Sequence, residues 1–363
     1  MKIKQISVYQ VDLPIQPISI SGGRTFAGVD STIVALETDE NITGWGEACP
    51  LGATYLPAFA LGVRAGIAEI APHLIGEDPC RLSRINQTLE RALAGHPYVK
   101  SAFDMACWDI LGKSLNVPLC ELFGGRINDE LVLTHGVFID TPAKMVADIE
   151  ALRKNGYRYF TIKAGNAVEE DIERIRATHA AIQPGEILGV DANGGWLVHE
   201  ATRVVRAVKD LDVYFEQPCS TYEECLKVRR QTDHPFILDE SMDSLSAVLR
   251  GYHDDAMDAV VIKLAKVGGL SRARIIKDVC VELGIPIRVE ESWGSAFVVA
   301  ATAHLAHAVP ANRLFASYGE MTSLKTAEGA PVQDNGRLKA NNKPGLGLAP
   351  LLNVLGEPVV CYS

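Results

Sequence analysis

Three short runs near the middle of the chain each carry an acidic residue: ILGVDANG at 187–194, VYFEQPC at 213–219 and FILDES at 236–241. Their apolar residues, many of them aromatic or branched, are typical of buried strands, and stretches with helical periodicity lie between them. A strand followed by a helix, repeated in order, predicts parallel strands joined by right-handed crossovers. The centre of the chain therefore predicts an α/β fold.

Five further runs of this kind extend the pattern in both directions. They are LVLTHGVF (131–138), YRYFTIKAG (157–165), AVVIKLA (259–265), PIRVEES (286–292) and LFASYGE (314–320). Eight candidate strands alternating with seven helices predict a closed barrel of the TIM type. An open doubly wound sheet is the alternative, but it usually carries G-x-G-x-x-G after its first strand. The glycine pairs in LFGGR, KVGGL and PGLGLAP do not occupy that place.

The segments on either side of the barrel pattern are organised differently. Candidate strands at 3–11 and 32–38 precede helical stretches at 58–74 and 101–113, which predicts a small α+β domain. The tail after residue 320 is rich in glycine and proline, and we expect it to return to that first domain. The predicted limits are 1–126 for the α+β domain, 127–325 for the barrel and 326–363 for the returning segment.

Composition narrows the class of protein. The 363 residues are 47% hydrophobic, enough for a large core, and this excludes a disordered chain. The net charge of −10 without a basic patch argues against nucleic-acid binding. The eight cysteines show no C-x-x-C spacing, so we expect reduced thiols. With no signal peptide or membrane span in the pattern, a cytoplasmic protein that binds a small molecule is expected.

Charged residues end successive candidate strands at a regular interval. Asp191, Glu216, Asp239 and Lys263 are separated by 25, 23 and 24 residues, one strand-helix unit each time. Because the active sites of such barrels lie at the carboxyl ends of the strands, these side chains should meet at one rim. Three converging carboxylates repel one another unless a cation neutralises them, and oxygen ligands without histidine or cysteine favour Mg²⁺. Otherwise each acid faces solvent or a helix N-terminus.

Two lysines lie in apolar runs where a solvent-exposed side chain is unusual. Lys163 belongs to the second candidate strand and Lys263 to the sixth, on opposite sides of a barrel. A lysine near a metal ion and another ammonium has its neutral form favoured and becomes a usable general base. The pair would then flank a bound substrate, one on each face, although either lysine alone could simply project into water.

Several motifs together resemble one known family. They are SAFDMACWDILGK (101–113), LFGG (122–125), TIK (161–163), DAN (191–193), EQP (216–218), LDES (238–241) and KLAKVGG (263–269). The set is similar to the mandelate racemase and muconate lactonising branch of the enolase superfamily. The resemblance covers nearly the whole chain and implies a (β/α)₇β modified TIM barrel under an α+β capping domain.

The same resemblance implies the roles of individual residues. It makes Asp191, Glu216 and Asp239 ligands of Mg²⁺ and makes Lys163 and Lys263 the acid/base pair, in a site that stabilises an ene-diolate. It places Glu240 beside the metal ligands. The sequence departs from the family's Lys-x-Lys pattern at Thr161, so the metal and Lys263 must lower the pKa of the catalytic lysine.

Within the branch, GWGEACPLGATYLPAFALGVRAG (44–66) and DVYFEQPCSTYEE (212–224) most resemble enzymes that act on proline derivatives. These are the cis-3-hydroxy-L-proline dehydratases, followed by the hydroxyproline betaine epimerases. The resemblance implies a homo-oligomeric Mg²⁺-dependent lyase that dehydrates cis-3-hydroxy-L-proline. The alternative is a racemase or epimerase of a proline betaine, hydroxyproline betaine or another amino-acid derivative. Candidate substrate contacts are Tyr55, Asn193, Glu291 and Trp293; Tyr55 could face a ring ammonium or simply pack.

Two other classes of protein compete with this interpretation. A zinc-dependent barrel hydrolase requires a His-x-His pair, but the first candidate strand offers only His135. A non-catalytic sensor on the same fold has no need for two opposed lysines beside three acids. The sequence leaves open whether the reaction is dehydration or epimerisation and which lysine is the base.

Overall fold

The computed structural model describes residues 1–319 and 322–363. Its N-terminal part is an antiparallel sheet covered by helices. The elements of this cap are β1 (Ile3–Ile20), a 3-10 turn (Ser21–Gly23), β2 (Arg24–Thr38), β3 (Thr43–Ala48), α1 (Ala60–Leu74), α2 (Leu82–Ala92), α3 (Pro97–Leu115) and α4 (Leu119–Leu122). One face of the sheet packs on the helices through Val8 and Val34, and the other packs toward the barrel through Val11 and Ile33.

Helix α3 lies directly against β3 because glycine occupies two positions of that strand. A Cβ atom at Gly44 would come within 2.1 Å of the Ala106 carbonyl oxygen, and one at Gly46 within 1.9 Å of the Ala102 carbonyl oxygen. Only glycine permits this approach. Residues 98–110 of α3 are buried on all sides, as expected of a helix whose apolar residues form no single stripe.

The barrel strands all run parallel. They are β5 (Thr134–Val137), β6 (Tyr159–Lys163), β7 (Ile187–Asp191), β8 (Tyr214–Glu216), β9 (Phe236–Leu238), β10 (Ala259–Lys263), β11 (Ile287–Glu290) and β12 (Leu314–Ser317). They pair in sequence order, and a bridge between Leu133 and Ser317 links the first strand to the last. The predicted (β/α)₇β barrel with an α+β cap is therefore confirmed. Glu320, the last residue of the eighth predicted run, lies outside the described residues.

Helices cover the outside of the barrel. They are α5 (Pro142–Lys154), α6 (Val168–Ala180), α7 (Val198–Ala207), α8 (Tyr222–Arg229), α9 (Leu245–His253), α10 (Leu264–Val267), α11 (Leu270–Leu283) and α12 (Ala296–His307). Residues 296–307 of α12 are buried throughout, because this helix lies between the barrel and the cap. Among the described residues, no helix has both the length and the apolar character needed to cross a membrane.

The C-terminal segment contacts both parts of the molecule. It contains β13 (Ala327–Glu328), β14 (Val332–Asp334), β15 (Arg337–Lys339), β16 (Ala349–Pro350), α13 (Leu352–Leu355) and β17 (Val360–Tyr362). Strand β17 pairs antiparallel with β1 in the cap, whereas β15 pairs with β4 (Leu131–Val132) at the start of the barrel. The limits 1–126, 127–325 and 326–363 stay a prediction.

Buried carboxylates join the cap to the barrel. Glu47 at the end of β3 accepts hydrogen bonds from the Ser295 amide at 2.9 Å and the Val298 amide at 3.2 Å, at the start of α12. Asp104 in α3 accepts one from the Ser271 amide at 2.8 Å, at the start of α11. Each carboxylate meets the positive end of a helix dipole, which offsets its desolvation. Burial nevertheless raises the pKa of both groups.

Candidate active site

The charged residues predicted at the strand ends occupy one layer of the barrel. In adjacent strands, Lys163 is paired with Asp191 and Asp191 with Glu216, and Lys263 is paired with Glu290. Asp239 directly follows β9. Parallel strands in register carry these side chains to the same rim. Each strand-helix unit along the chain therefore adds the neighbouring position around the barrel.

Three carboxylates approach one another closely enough to share a cation. Glu216, Asp239 and Glu290 each offer an oxygen, and these oxygens lie within 4.8 Å of one another. Asp191, predicted as the third ligand, instead accepts hydrogen bonds from Lys163 Nζ at 2.5 Å and from the amide and side chain of Asn193 at 2.8 and 2.9 Å. The structure thus adds Glu290 to the predicted set.

The donor set fits a hard divalent cation. Oε2 of Glu216 is buried and accepts no hydrogen bond from the described residues. Buried acceptors without a donor cost free energy unless a cation or proton satisfies them. Six carboxylates against four cationic side chains leave a formal charge of −2, which one divalent ion balances. The residues are Asp191, Glu216, Asp239, Glu240, Glu290 and Glu291 against Lys163, Lys263, Lys266 and Arg288.

Burial and neighbouring charges shift the pKa values of Glu216 and Asp239 in opposite directions. Burial is the main cause that raises the pKa of Glu216 to about 8, and Asp191 and Glu290 add to it against the opposing effect of Arg288. Burial would also raise the pKa of Asp239, but Lys263 and Lys266 outweigh it and lower that pKa. Acids whose pKa values are shifted in opposite directions within one site are typical of catalytic centres.

The two predicted lysines lie on opposite walls of one cleft. Both Lys163 and Lys263 line it. Lys263 Nζ donates to the hydroxyl of Tyr55 at 2.7 Å and also to Asp239. Burial opposes the charge on each lysine, but the adjacent carboxylates, first Asp191 for Lys163 and Asp239 for Lys263, outweigh it and raise both pKa values. The sequence predicts lowered lysine pKa values and hence neutral amines. The pKa values are raised instead, because each ammonium pairs directly with a carboxylate.

The cap closes the cleft through two loops held by one arginine. Arg24 donates to the Ser21 carbonyl at 2.8 Å, the Thr54 carbonyl at 3.3 Å and the Asn193 carbonyl at 3.1 Å. Its guanidinium also lies 5.8 Å from the centre of the Tyr55 ring. Arg24 therefore ties both cap loops to the turn that follows Asp191.

The other predicted contacts lie at different depths. Asn193 donates to Glu240 at 3.0 Å, and burial is the main cause that raises the Glu240 pKa to about 7. Glu291 accepts hydrogen bonds from the Ala265 and Ser292 amides and, with Trp293, lines the cleft. Thr161 lies fully buried below Lys163, with its hydroxyl 3.0 Å from that of Thr134.

Sequence reasoning noted Glu290 at the end of a strand but assigned no role to it, to Arg288 or to Lys266. Arg288 donates to Glu216 and forms an ion pair with Glu290 at 2.6 Å. Lys266 contacts Asp239 from below the rim. Two signals were available: Arg288 and Glu290 alternate on one face of an apolar strand, and Lys266 follows Lys263 by one helical turn.

His135 lies away from the carboxylate cluster. Its ring packs edge-on against Tyr157, with Nδ1 2.8 Å from the Gly136 carbonyl, and burial lowers its pKa. The group of metal-binding side chains found within residues 1–319 and 322–363 contains oxygen ligands alone. The zinc hydrolase alternative therefore lacks its histidine ligands.

Comparisons with known proteins agree with this architecture. Residues 3–124 match the family model described as "Mandelate racemase / muconate lactonizing enzyme, N-terminal domain", and residues 144–352 match "Enolase C-terminal domain-like". The cis-3-hydroxy-L-proline dehydratase of Roseibium aggregatum is 46% identical over the full length of both chains. The N-succinyl-L-Arg/Lys racemase of Bacillus cereus is 31% identical over 96% of this chain and 95% of that protein.

A solved structure gives the same result. A member of the enolase superfamily from Roseovarius nubinhibens, complexed with magnesium, has a TM-score of 0.95 and 36% identity over 99% of each chain. Matches of this length in sequence and in structure confirm the resemblance that the motifs predicted. The chain belongs to the mandelate racemase/muconate lactonizing enzyme family of the enolase superfamily.

Proposed function

We propose that the protein removes the proton α to a carboxylate with the help of Mg²⁺, and that its reaction is the dehydration of cis-3-hydroxy-L-proline. The observation that carries this proposal is the placement of Lys163 and Lys263 on β6 and β10, four strands apart, with the carboxylate cluster beside them. The relative that is 46% identical over the whole chain carries the same activity in its name.

Glu216 and Asp239 are the proposed core of the Mg²⁺ site. The family motif adds Asp191 as the third ligand, whereas the close approach of oxygens adds Glu290. When bound, Mg²⁺ would hold the substrate carboxylate and neutralise the charge that develops on its oxygens as the α-proton leaves. Measuring the Mg²⁺ affinities of Asp191→Asn and Glu290→Gln decides between the two residues. The substitution that removes a metal ligand should weaken Mg²⁺ binding more than the other.

The proposed roles of the lysines follow from the stereochemistry of the substrate. In cis-3-hydroxy-L-proline the hydroxyl and the carboxylate share one face of the ring, so the α-proton and the hydroxyl lie on opposite faces. One lysine takes the α-proton as the neutral amine, a form that its carboxylate partner disfavours until a cation occupies the carboxylates. The electron pair of the broken C–H bond forms the ring double bond, and the C–O bond breaks. The other lysine, as the ammonium, protonates the departing hydroxyl, which leaves as water.

The apolar wall of the cleft favours a small substrate that carries no second charge far from its reacting carboxylate. From the cap, Ile18, Ile20 and Leu51 face the cleft beside Tyr55. An apolar wall suits the methylene groups of a proline ring better than the second charge of a succinylated or basic amino acid. Tyr55 already has Lys263 Nζ 5.1 Å from its ring centre, so we assign its role to this lysine rather than to the substrate's ammonium.

Epimerisation is the second candidate, because the same opposed lysines could remove a proton from one face and return it to the other. The Bacillus cereus relative named as a racemase keeps this alternative open. The substrate would then be a proline betaine, a hydroxyproline betaine or another amino-acid derivative. Two further statements stay predictions: that the protein forms a homo-oligomer in solution and that it lies in the cytoplasm. Light scattering tests the oligomeric state.

The deciding experiment is a screen of hydroxyprolines, proline betaines and N-acyl amino acids in D₂O, followed by ¹H NMR. Dehydration predicts loss of the cis-3-hydroxy-L-proline signals and little turnover of the trans isomer, whose two leaving groups share one face. Epimerisation predicts α-deuteration of both enantiomers of a betaine and no consumption of hydroxyproline. If none of these compounds is consumed or α-deuterated, the proposal is wrong and the non-catalytic sensor is favoured.

A further inference from the structure

We propose that Lys266 is a positioning residue that orients Asp239 for the metal ion, and is neither the acid nor the base. This inference rests on the proposed Mg²⁺ site. Lys266 belongs to the KLAKVGG motif and lies in α10, the single helical turn that follows β10. Its side chain is 4% exposed, and Lys266 is not among the described residues that line the cleft.

All three N–H groups of the Lys266 ammonium have partners on the barrel. Nζ donates to Oδ1 of Asp239 at 2.7 Å, to the Asp239 backbone carbonyl, and to the Val261 carbonyl at 3.5 Å. An ammonium has three donors and no acceptor, so this set uses its whole capacity. Lys266 therefore has no N–H left with which to protonate a substrate.

The two oxygens of Asp239 are divided between two different lysines. Oδ1 faces Lys266 below the rim, whereas Oδ2 faces Lys263 and the Tyr55 hydroxyl, which lies 3.4 Å away. Lys263 lines the cleft. Because Lys266 holds both Oδ1 and the backbone carbonyl of the same residue, it fixes the rotation of the carboxylate. Oδ2 is thereby directed to Lys263, whose Nζ also lies 3.4 Å from Oε1 of Glu290.

The turn that carries Lys266 is held in place by glycine. Gly268 and Gly269 have φ values of 97° and 114°, which ordinary residues rarely adopt. A Cβ atom at Gly269 would also come within 2.6 Å of Oδ2 of Asp104 in the cap helix α3. The glycine pair lets the chain end α10 after one turn and begin α11 against Asp104, which keeps Lys266 under the rim.

A positioning role and a purely electrostatic role predict opposite changes in Mg²⁺ affinity. An ammonium close to a cation repels it, so removal of the charge alone should strengthen Mg²⁺ binding. Residues that orient metal ligands through hydrogen bonds typically contribute 10–100-fold to metal affinity. We therefore expect Lys266→Met to bind Mg²⁺ at least tenfold more weakly than the wild-type protein, measured by isothermal titration calorimetry in the absence of substrate.

Lys277 supplies a matched control. It is also 4% exposed, and its Nζ donates to the carbonyl oxygens of Phe123 at 3.1 Å and Ala308 at 3.5 Å. Lys277→Met removes an equally buried ammonium from two carbonyl partners and from the Asp278 carboxylate 2.6 Å away, all outside the cleft. It should lower the melting temperature while changing Mg²⁺ affinity less than twofold, which separates general destabilisation from an effect on the metal site.

Lys266→Arg extends the test to a variant that keeps the charge. A planar guanidinium does not place its donors as an ammonium does, so a positioning role predicts weaker Mg²⁺ binding. A purely electrostatic role predicts no change in Mg²⁺ affinity, because the charge is kept. This variant also decides the case if Lys266→Met does not fold. Unchanged or tighter Mg²⁺ binding by a folded Lys266 variant overturns the inference. A wild-type protein that binds no Mg²⁺ overturns the proposed metal site itself, and the inference with it.

Discussion

The hydroxyl of Tyr55, in a loop of the cap, accepts a hydrogen bond from the Lys263 ammonium at the end of β10, at 2.7 Å. The same hydroxyl lies 3.4 Å from Oδ2 of Asp239. A cap residue thus contacts both a proposed acid/base residue and a proposed metal ligand. The cap therefore completes the charged layer of the site as well as covering it.

Tyr55→Phe tests this contact. The ring and its packing remain, but Lys263 loses a hydrogen-bond acceptor, and such a bond to a charged group contributes about 1.5–3 kcal/mol. We expect kcat/KM to fall roughly 10–100-fold with little change in melting temperature. Tyr157→Phe is the control, because the Tyr157 hydroxyl bonds Gln333 at 2.7 Å instead. Wild-type kinetics in Tyr55→Phe would show that the hydroxyl has no part in the reaction.

Single lysine substitutions should affect two readouts unequally. Replacing the base by alanine should stop both α-proton exchange and dehydration, because no group then takes the proton. Replacing the acid should stop dehydration and leave some exchange. The losses should reach about 10²–10⁴-fold, the usual contribution of general acid or base catalysis. ¹H NMR in D₂O with Lys163→Ala and Lys263→Ala measures both rates. Equal loss of exchange in both variants contradicts separate roles.

Mg²⁺ should control both activity and stability. Excess EDTA should abolish turnover and added Mg²⁺ restore it; full activity in EDTA rules out the metal. Because the ion binds the folded cluster, it should stabilise the fold by about 2.7 kcal/mol at 100 times its Kd, measured by thermal unfolding. Asp239→Asn should lose activity, and also roughly 3–5 kcal/mol of stability, because buried Lys263 and Lys266 lose their shared carboxylate.

The positions of the strand-end residues could be predicted because barrel geometry is periodic. Once a strand-helix unit takes 23–25 residues, Asp191, Glu216 and Asp239 must arrive at one rim. The pairing among charges could not be predicted this way. That Asp191 bonds Lys163, while Glu290 approaches Glu216, depends on side-chain rotamers and on neighbours such as Arg288.

The contacts between the cap and the barrel could not be predicted from the sequence pattern either. Tyr55 and Lys263 are 208 residues apart, and Glu47 and Ser295 are 248 apart. Periodicity reports local structure and says nothing about which loop covers which strand end. Glu47 lies in the segment 44–66 that carries part of the resemblance, but its contact with the start of α12 could be seen only in the fold.

The buried histidines of α12 give the fold a dependence on acid that is separate from the active site. His307 is fully buried; its Nδ1 lies 2.8 Å from the Asn128 carbonyl, and its Nε2 accepts from the Ala340 amide at 3.1 Å. The carbonyl requires a proton on Nδ1 and the amide requires a lone pair on Nε2, so both bonds need the neutral ring. Burial, with Arg126 nearby, lowers the His307 pKa to about 4.

Acid should therefore weaken the attachment of the C-terminal segment. A group whose pKa is lower in the folded state binds fewer protons there, so His307 contributes stability above its unfolded pKa of about 6.5, and loses it as the pH falls toward 4. His304, whose pKa burial lowers to about 3, adds to the slope. Urea unfolding between pH 7 and 4.5 should show His307→Gln with a slope shallower by about 1.4 kcal/mol per pH unit. Parallel slopes would mean that His307 protonates equally in both states.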